Sequence, residues 1–212
     1  MKYSSKYMTR IAGGLIVAGL LAASQAGAAD TGISSKGASF VKEAAEGNQS
    51  EIATAQLAQE KSQNQEVKNL AQMIQKDHQQ AQEKLQTIAQ AHGITLDQTP
   101  SWSQRRAQSK LEKLNGADFD QQYAKDMLED HVTDIKKFQK ASQQIQDTDV
   151  KEYAQTCLPV LQKHLQQSET TAKAVGVDQS TISSITKHMP GAVGGAGENG
   201  ESGSGTSQHQ PY

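Results

Sequence analysis

The feature that most constrains this chain is a stripe of apolar side chains recurring every three or four positions through four long segments. That spacing places the apolar groups on one face of an α-helix and scatters them over both faces of a strand. The periodicity predicts a first helix from the N-cap Ser39 to about Lys61, with Phe40, Ala44, Ile52, Ala55 and Ala58 facing inward. A second runs from about Asn64 to His92 on Val67, Leu70, Ile74, Ala81, Leu85 and Ile88, and stops at Gly93. A third covers about Ala117 to Ile145 through Phe119, Tyr123, Met127, Ile135 and Phe138, and a fourth covers about Asp149 to Val175 through Val150, Tyr153, Cys157, Leu161 and Ser168. Gly176 ends the fourth helix, and Pro159 should kink it by removing an interior backbone donor. Only 4% of residues are aromatic, a poor supply for strands and no obstacle to helices.

Short links join helices one and two and helices three and four, so each pair is antiparallel. The middle link, Gly93 to Gly116, is longer and holds its own helical stretch, about Ser103 to Leu114, with Trp102, Leu111 and Leu114 available to pack. A core helix is about 40 Å long, and a short helix plus about ten extended residues covers that distance. Helices two and three can then run parallel. The expected fold is all-α, a ferritin-like four-helix bundle with one long crossover containing a short extra helix.

The bundle domain is expected over residues 39–188, with different chemistry at each end. Lys2, Lys6 and Arg10 precede an apolar run from Ile11 to Ala23 and the small residues Ala26 to Ala29, the layout of a cleaved secretory signal over residues 1–29. The run is too short for a transmembrane span, which takes roughly 20 residues, so none is expected in the mature chain. A linker at 30–38 follows. Residues 189–212 are rich in glycine and nearly devoid of apolar groups, the composition of a disordered tail.

A net charge of −2 gives no basic excess for phosphates, which argues against a nucleic-acid partner. One cysteine excludes an internal disulfide and a cysteine-based zinc or iron–sulfur site. The informative ionisable residues lie on the apolar stripes. His78 is four after Ile74, His131 four after Met127, and His164 three after Leu161, while Glu51 lies four before Ala55. All four fall near helix midpoints, which share one height whichever way each helix runs. Such groups can form a buried hydrogen-bonded network that fixes helix register, or a site for a divalent transition metal, Zn, Fe, Mn or Cu. Asp77 and Asp130 each precede a histidine and point about 100° round the helix, toward partners of the ligands or toward solvent. Asp134 shares the face of His131, and Tyr123 shares its stripe as a hydrogen-bonding neighbour or a packing residue. The residues three before the histidines are Gln75, Leu128 and Leu161, which disfavours a carboxylate-bridged di-iron centre.

The strings Phe40…Glu51, Val67-Lys68-Asn69-Leu70-Ala71…Asp77-His78, Phe119-Asp120…Tyr123…His131 and Leu158-Pro159…His164-Leu165 resemble the bacterial domain of unknown function 4142 family, over about Ser39 to Val175. The resemblance implies an exported, ferritin-like protein, often labelled a putative outer-membrane protein, and interest in His78, Tyr123, His131 and His164. It implies no reaction. A chain without a β-barrel pattern or a lipid-attachment cysteine fits the periplasm better, at most peripheral to the outer membrane. Two functions follow as expectations: metal binding at mid-bundle through Glu51, His78, His131 and His164, or a non-catalytic envelope stress or interaction protein, meeting an envelope partner or a second copy of itself, whose histidine network is structural. No nucleophile set or phosphate loop points to an enzyme.

Overall fold

Four of the six helices among the described residues begin where a side-chain oxygen satisfies the first free backbone donors. In the computed structural model, which describes residues 32–97 and 99–187, α1 spans Ser35–Lys61, α2 Gln65–Ala91, α3 Trp102–Glu112, α4 Gly116–Gln144, α5 Thr148–Ala174 and α6 Gln179–Thr186. No strand occurs among the described residues. The leader expected at 1–29 and the tail expected at 189–212 lie outside them. Asn64 caps α2 by accepting the N–H groups of Glu66 and Val67, and Ser101 with Gln104 forms a reciprocal capping box on α3. Gly93 and Gly176 follow the ends of α2 and α5 at φ 63° and 85°, a left-handed conformation that costs glycine least.

The helices α1, α2, α5 and α4, in that order, form the four corners of the bundle. Helices α1 and α2 are one antiparallel hairpin and α4 and α5 the other. His92 after α2 reaches Asp149 at the start of α5, Nε2 to Oδ2 2.7 Å, so those two helices are antiparallel as well. Phe40 early in α1 lies edge-on to Phe138 late in α4, with ring centroids 5.0 Å apart, which fixes the same relation on the opposite side. Helices α2 and α4 therefore run parallel across the diagonal, and α3 lies in the connection that carries the chain back. This is the four-helix bundle with a single helical crossover that the spacing predicts.

Four local expectations change. Helix α1 starts inside the segment expected to be a linker, and Ser34, not Ser39, is its cap. The cause is long-range: Asp147, at the α4–α5 corner, accepts from the Ser34 backbone N–H at 2.9 Å and from its hydroxyl. A side chain at Gly37 would collide with that carboxylate. Helix α5 runs unbroken through Pro159, which lies on the solvent side beside exposed Gln155, whose carbonyl loses its donor where water can replace it. Trp102 does not pack; it is 66% exposed, while Leu111 carries the anchoring of α3 at 2%. Ile52, expected inside, is only half-buried.

Helix α6 has no counterpart in the periodicity. It is capped by Asp178, which accepts the Thr181 N–H at 2.8 Å, and it buries Ile182 against the core. Replacing Ile182 by Ala is expected to lower unfolding stability by about 2 kcal/mol, in the usual range for truncating a buried aliphatic chain. A urea midpoint equal to that of the parent protein would show that α6 contributes no packing.

Candidate metal centre

Two apolar clusters fill the bundle. One gathers around Phe40, Phe138 and Tyr153 and extends along α5 to α6; the other gathers around Leu70, Ile74 and Phe119 at the opposite end. Between them, at mid-height, α1 contributes Glu51, α2 His78, α4 His131 and α5 His164. Glu51 and His78 are each 4% exposed, and His131 and His164 are fully enclosed. The sequence stripes thus bring all four candidate residues together, one from each helix.

The contacts close in a partial ring. Glu51 Oε2 lies 3.1 Å from His78 Nε2 and 3.5 Å from His131 Nε2. His131 Nε2 lies 3.1 Å from His164 Nδ1. The ligating nitrogens of the three histidines fall within 4.8 Å of one another.

The outward side of each imidazole fixes what its inward side carries. His131 Nδ1 is 2.8 Å from the Met127 carbonyl, which can only accept, so this nitrogen holds the proton. His164 Nε2 is 3.0 Å from Asp77 Oδ2, again an acceptor. His78 Nδ1 is 2.9 Å from Asn48 Oδ1, and Asn48 is oriented by donating its amide to Gln82 and Tyr153. Each neutral ring therefore spends its one N–H outward. Three lone pairs and one carboxylate oxygen are left facing each other in an enclosed space. The 3.1 Å approach of His131 to His164 then sets lone pair against lone pair. Glu51 Oε2 and His78 Nε2, despite their proximity, are both buried without a hydrogen-bond partner.

That pattern fits a cation. Metal-ligating histidines characteristically donate their second nitrogen to a carboxylate or carbonyl, as all three do here with a side-chain or backbone oxygen. With metal–ligand distances of about 2.0–2.2 Å, donors 3.1 and 3.5 Å apart subtend roughly 90° to 120° at an ion, a range that includes tetrahedral and octahedral coordination. The donor set of three imidazoles and one carboxylate, with no thiolate, can hold Zn, Fe, Mn or Cu.

Electrostatics respond as burial and proximity dictate. Burial alone would push the Glu51 carboxyl up, but the surrounding imidazoles, His78 first, hold it well below the usual carboxylate range. Burial opposes charge on His78 too, yet Glu51 beside it raises that imidazole above its ordinary value. Burial holds His131 below its ordinary value, and burial with the neighbouring His131 brings His164 down to about 4.

The outlying candidates divide. Asp77 reaches the site through His164 and holds that ring's orientation. Asp130 is exposed and Asp134 pairs with Lys137 at 3.5 Å; neither hydrogen-bonds to the four central residues. Burial, then the field of Glu51, raises the Asp134 carboxyl to about 6. Tyr123 is fully enclosed and stacked on Phe119. Its hydroxyl has no hydrogen-bond partner, and burial with the charge of Glu51 pushes the phenol up. Gln75 instead bonds Gln59 at 2.6 Å, and Leu128 and Leu161 are core residues. The site therefore has one carboxylate among its four inward groups.

Sequence reasoning misses Asn48, the residue that sets the tautomer of His78. A signal for it exists: Asn48 is four after Ala44 and seven before Ala55, on the same inner stripe as Glu51. Gln82, four after His78, follows from the same rule.

The chain belongs to the family described as "Domain of unknown function (DUF4142)", whose sequence model matches residues 22–171. That span includes all four central residues. Comparisons with curated proteins and with solved structures returned no match.

For protein stripped of metal by chelation, the contribution of His164 to stability should be lost as pH drops from about 6.5 toward 4. His164 is depressed in the fold, so the unfolded chain takes up its proton first in that window and gains from it. His78 and Asp134, both raised in the fold, work in the opposite sense, so the group is isolated by comparison with a variant. The urea midpoint of the parent should fall relative to that of His164→Gln between pH 7 and 4.5; a constant difference between the two would contradict a neutral enclosed imidazole.

Proposed function

We propose that this is an exported bundle protein that binds one divalent transition-metal ion at mid-bundle through His78, His131, His164 and Glu51. The ion is of the class Zn, Fe, Mn or Cu. The observation that carries this reading is the set of three histidines, each with its proton directed outward to Met127, Asp77 or Asn48, and each with its lone pair directed inward beside an unpartnered carboxylate oxygen. A cation resolves the lone-pair conflict that neutral imidazoles leave. Export to the periplasm is supported by the basic and apolar residues of the first 29 positions. Among the described residues no helix is long and apolar enough to cross a membrane.

The test is elemental analysis of the full chain, purified from the periplasm without chelators, beside a variant with His78, His131 and His164 all changed to Ala. Near one equivalent of metal is expected in the parent chain and none in the variant. Less than a tenth of an equivalent in the parent would sink the reading. Asp77→Asn, which keeps the shape but weakens the acceptor behind His164, should reduce metal affinity about 10- to 100-fold, the usual effect of disturbing a ligand's partner. Competition with a chromophoric chelator measures it.

A second reading draws on one observation, the 3.1 Å approach of His78 to Glu51 with their opposite displacements from ordinary titration. Protons then take the place of the metal, His78 carries a charge, and the network only fixes helix register. Function in that case lies in an envelope partner or a second copy meeting the surface. The same experiment separates the two: no metal in either chain, with the triple variant strongly destabilised, supports the proton-filled network.

A further inference from the structure

The four central groups are unevenly spaced. Three edges of the ring are direct polar approaches of 3.1 to 3.5 Å: His78 to Glu51, Glu51 to His131, and His131 to His164. The fourth edge, from His164 back to His78, shows no such approach, and the two rings lie side by side with centroids 5.4 Å apart.

That edge faces a cavity. Between α2 and α5 lies a space of about 120 Å³ whose wall includes both His78 and His164. Its other lining is mainly apolar, with Ala81, Phe138 and Leu161 prominent, and the exposed Lys84 stands on the α2 side. A water molecule in the liquid takes about 30 Å³, so the space admits a ligand of a few heavy atoms. The opposite side of the bundle differs. The groove between α1, α3 and α4 is larger, about 570 Å³, but none of Glu51, His78, His131 and His164 lines it.

We infer that the α2–α5 cavity is a ligand-access site, through which a small anion of one to three heavy atoms, of the hydroxide, hydroperoxide or azide class, reaches an ion held by the four central residues. This rests on the metal reading. The ring of donors is closed on three edges and open on the fourth, so an added ligand enters between His78 and His164 without displacing a protein donor. Lys84 supplies the one uncommitted charge on the wall, because Asp77, which also lines it, is engaged by His164.

The test uses the full chain loaded with Co(II), whose visible spectrum reports ligands at the ion, titrated with sodium azide. Two variants narrow the cavity from different helices: Ala81→Phe fills it from α2, and Val160→Trp covers its mouth from α5. Ala107→Phe, in the groove on the other side, is the control. Azide should shift the cobalt bands of the parent and control alike. Ala81→Phe or Val160→Trp, whichever retains the parent helicity and one equivalent of cobalt, should need at least tenfold more azide. A cobalt spectrum that azide leaves unchanged, or that azide changes equally in all chains, overturns the access site and leaves the metal reading standing. Failure of the parent chain to take up cobalt, zinc, iron, manganese or copper removes both.

Discussion

The structure turns on a carboxylate taken out of water in the middle of a helical bundle. An isolated ionised carboxylate would be neutralised there, because desolvation costs several kcal/mol even after relaxation. Glu51 is held in its ionised form by positive charge at this layer, that of His78 first, which outweighs the burial. Everything at that height follows from this requirement. The histidines gather at this carboxylate, so each must be held from behind, and three of the four helices supply the holds: Asn48 of α1 behind His78, the Met127 carbonyl of α4 behind its own His131, and Asp77 of α2 behind His164. The polar layer is thereby tied to α1, α2, α4 and α5 at once. A one-residue slip of any of them would carry its polar group about 100° away from the others and leave it buried without a partner. The apolar clusters on either side supply burial; the central layer supplies register.

How much of this was legible in the sequence depends on whether the determining contacts are local. Long helices with an apolar stripe repeat their signal over six or more turns, so α1, α2, α4 and α5 were readable to within a few residues. The meeting of Glu51, His78, His131 and His164 was readable for a geometric reason: residues at helix midpoints share one height whichever way the helices run. Features set by contacts across the fold were not readable. The start of α1 depends on Asp147, more than a hundred positions away, and no local pattern distinguishes Ser34 from Ser39 as the cap. Helix α6 is eight residues long, too short for periodicity to emerge. Trp102 looked like an anchor because of its size, but α3 needs only Leu111 for that and turns the indole outward, where Arg106 lies over it at 5.2 Å. The hydrogen-bond roles of Asn48 and Asp77 required coordinates, since spacing gives the face of a helix and not the atom a side chain reaches.

The same four residues serve two physical accounts that differ only in what occupies the space between them. With protons, at least one imidazole becomes a cation in an enclosed site, and His78 is the ring best placed because Glu51 raises it. The proton on His78 answers the carboxylate but leaves His131 and His164 with opposed lone pairs at 3.1 Å. A second proton there would have to sit on a ring that burial disfavours charging. A single divalent ion answers both conflicts together, because it accepts from every inward donor and carries the charge that Glu51 requires. That economy is the physical ground for preferring the metal.

Topology then decides which side of the bundle opens onto the site. Helices α2 and α4 are parallel across the diagonal, so the chain must cross the end-to-end length of the bundle between them. Helix α3 does this over the α1–α4 side, where Gln104 donates to the Glu46 carbonyl at 3.0 Å and Leu111 is buried. The groove left beneath it ends short of the central groups. The α2–α5 side receives no such cover, and there the pair of side chains at mid-height is His78 and His164, the one edge of the ring without a polar contact. A crossover on the other face would have roofed that edge and bared the side of Glu51 and His131, where the donors already stand 3.5 Å apart. The direction of a loop distant from the central groups thus determines which side of the four-residue ring lies beside a cavity.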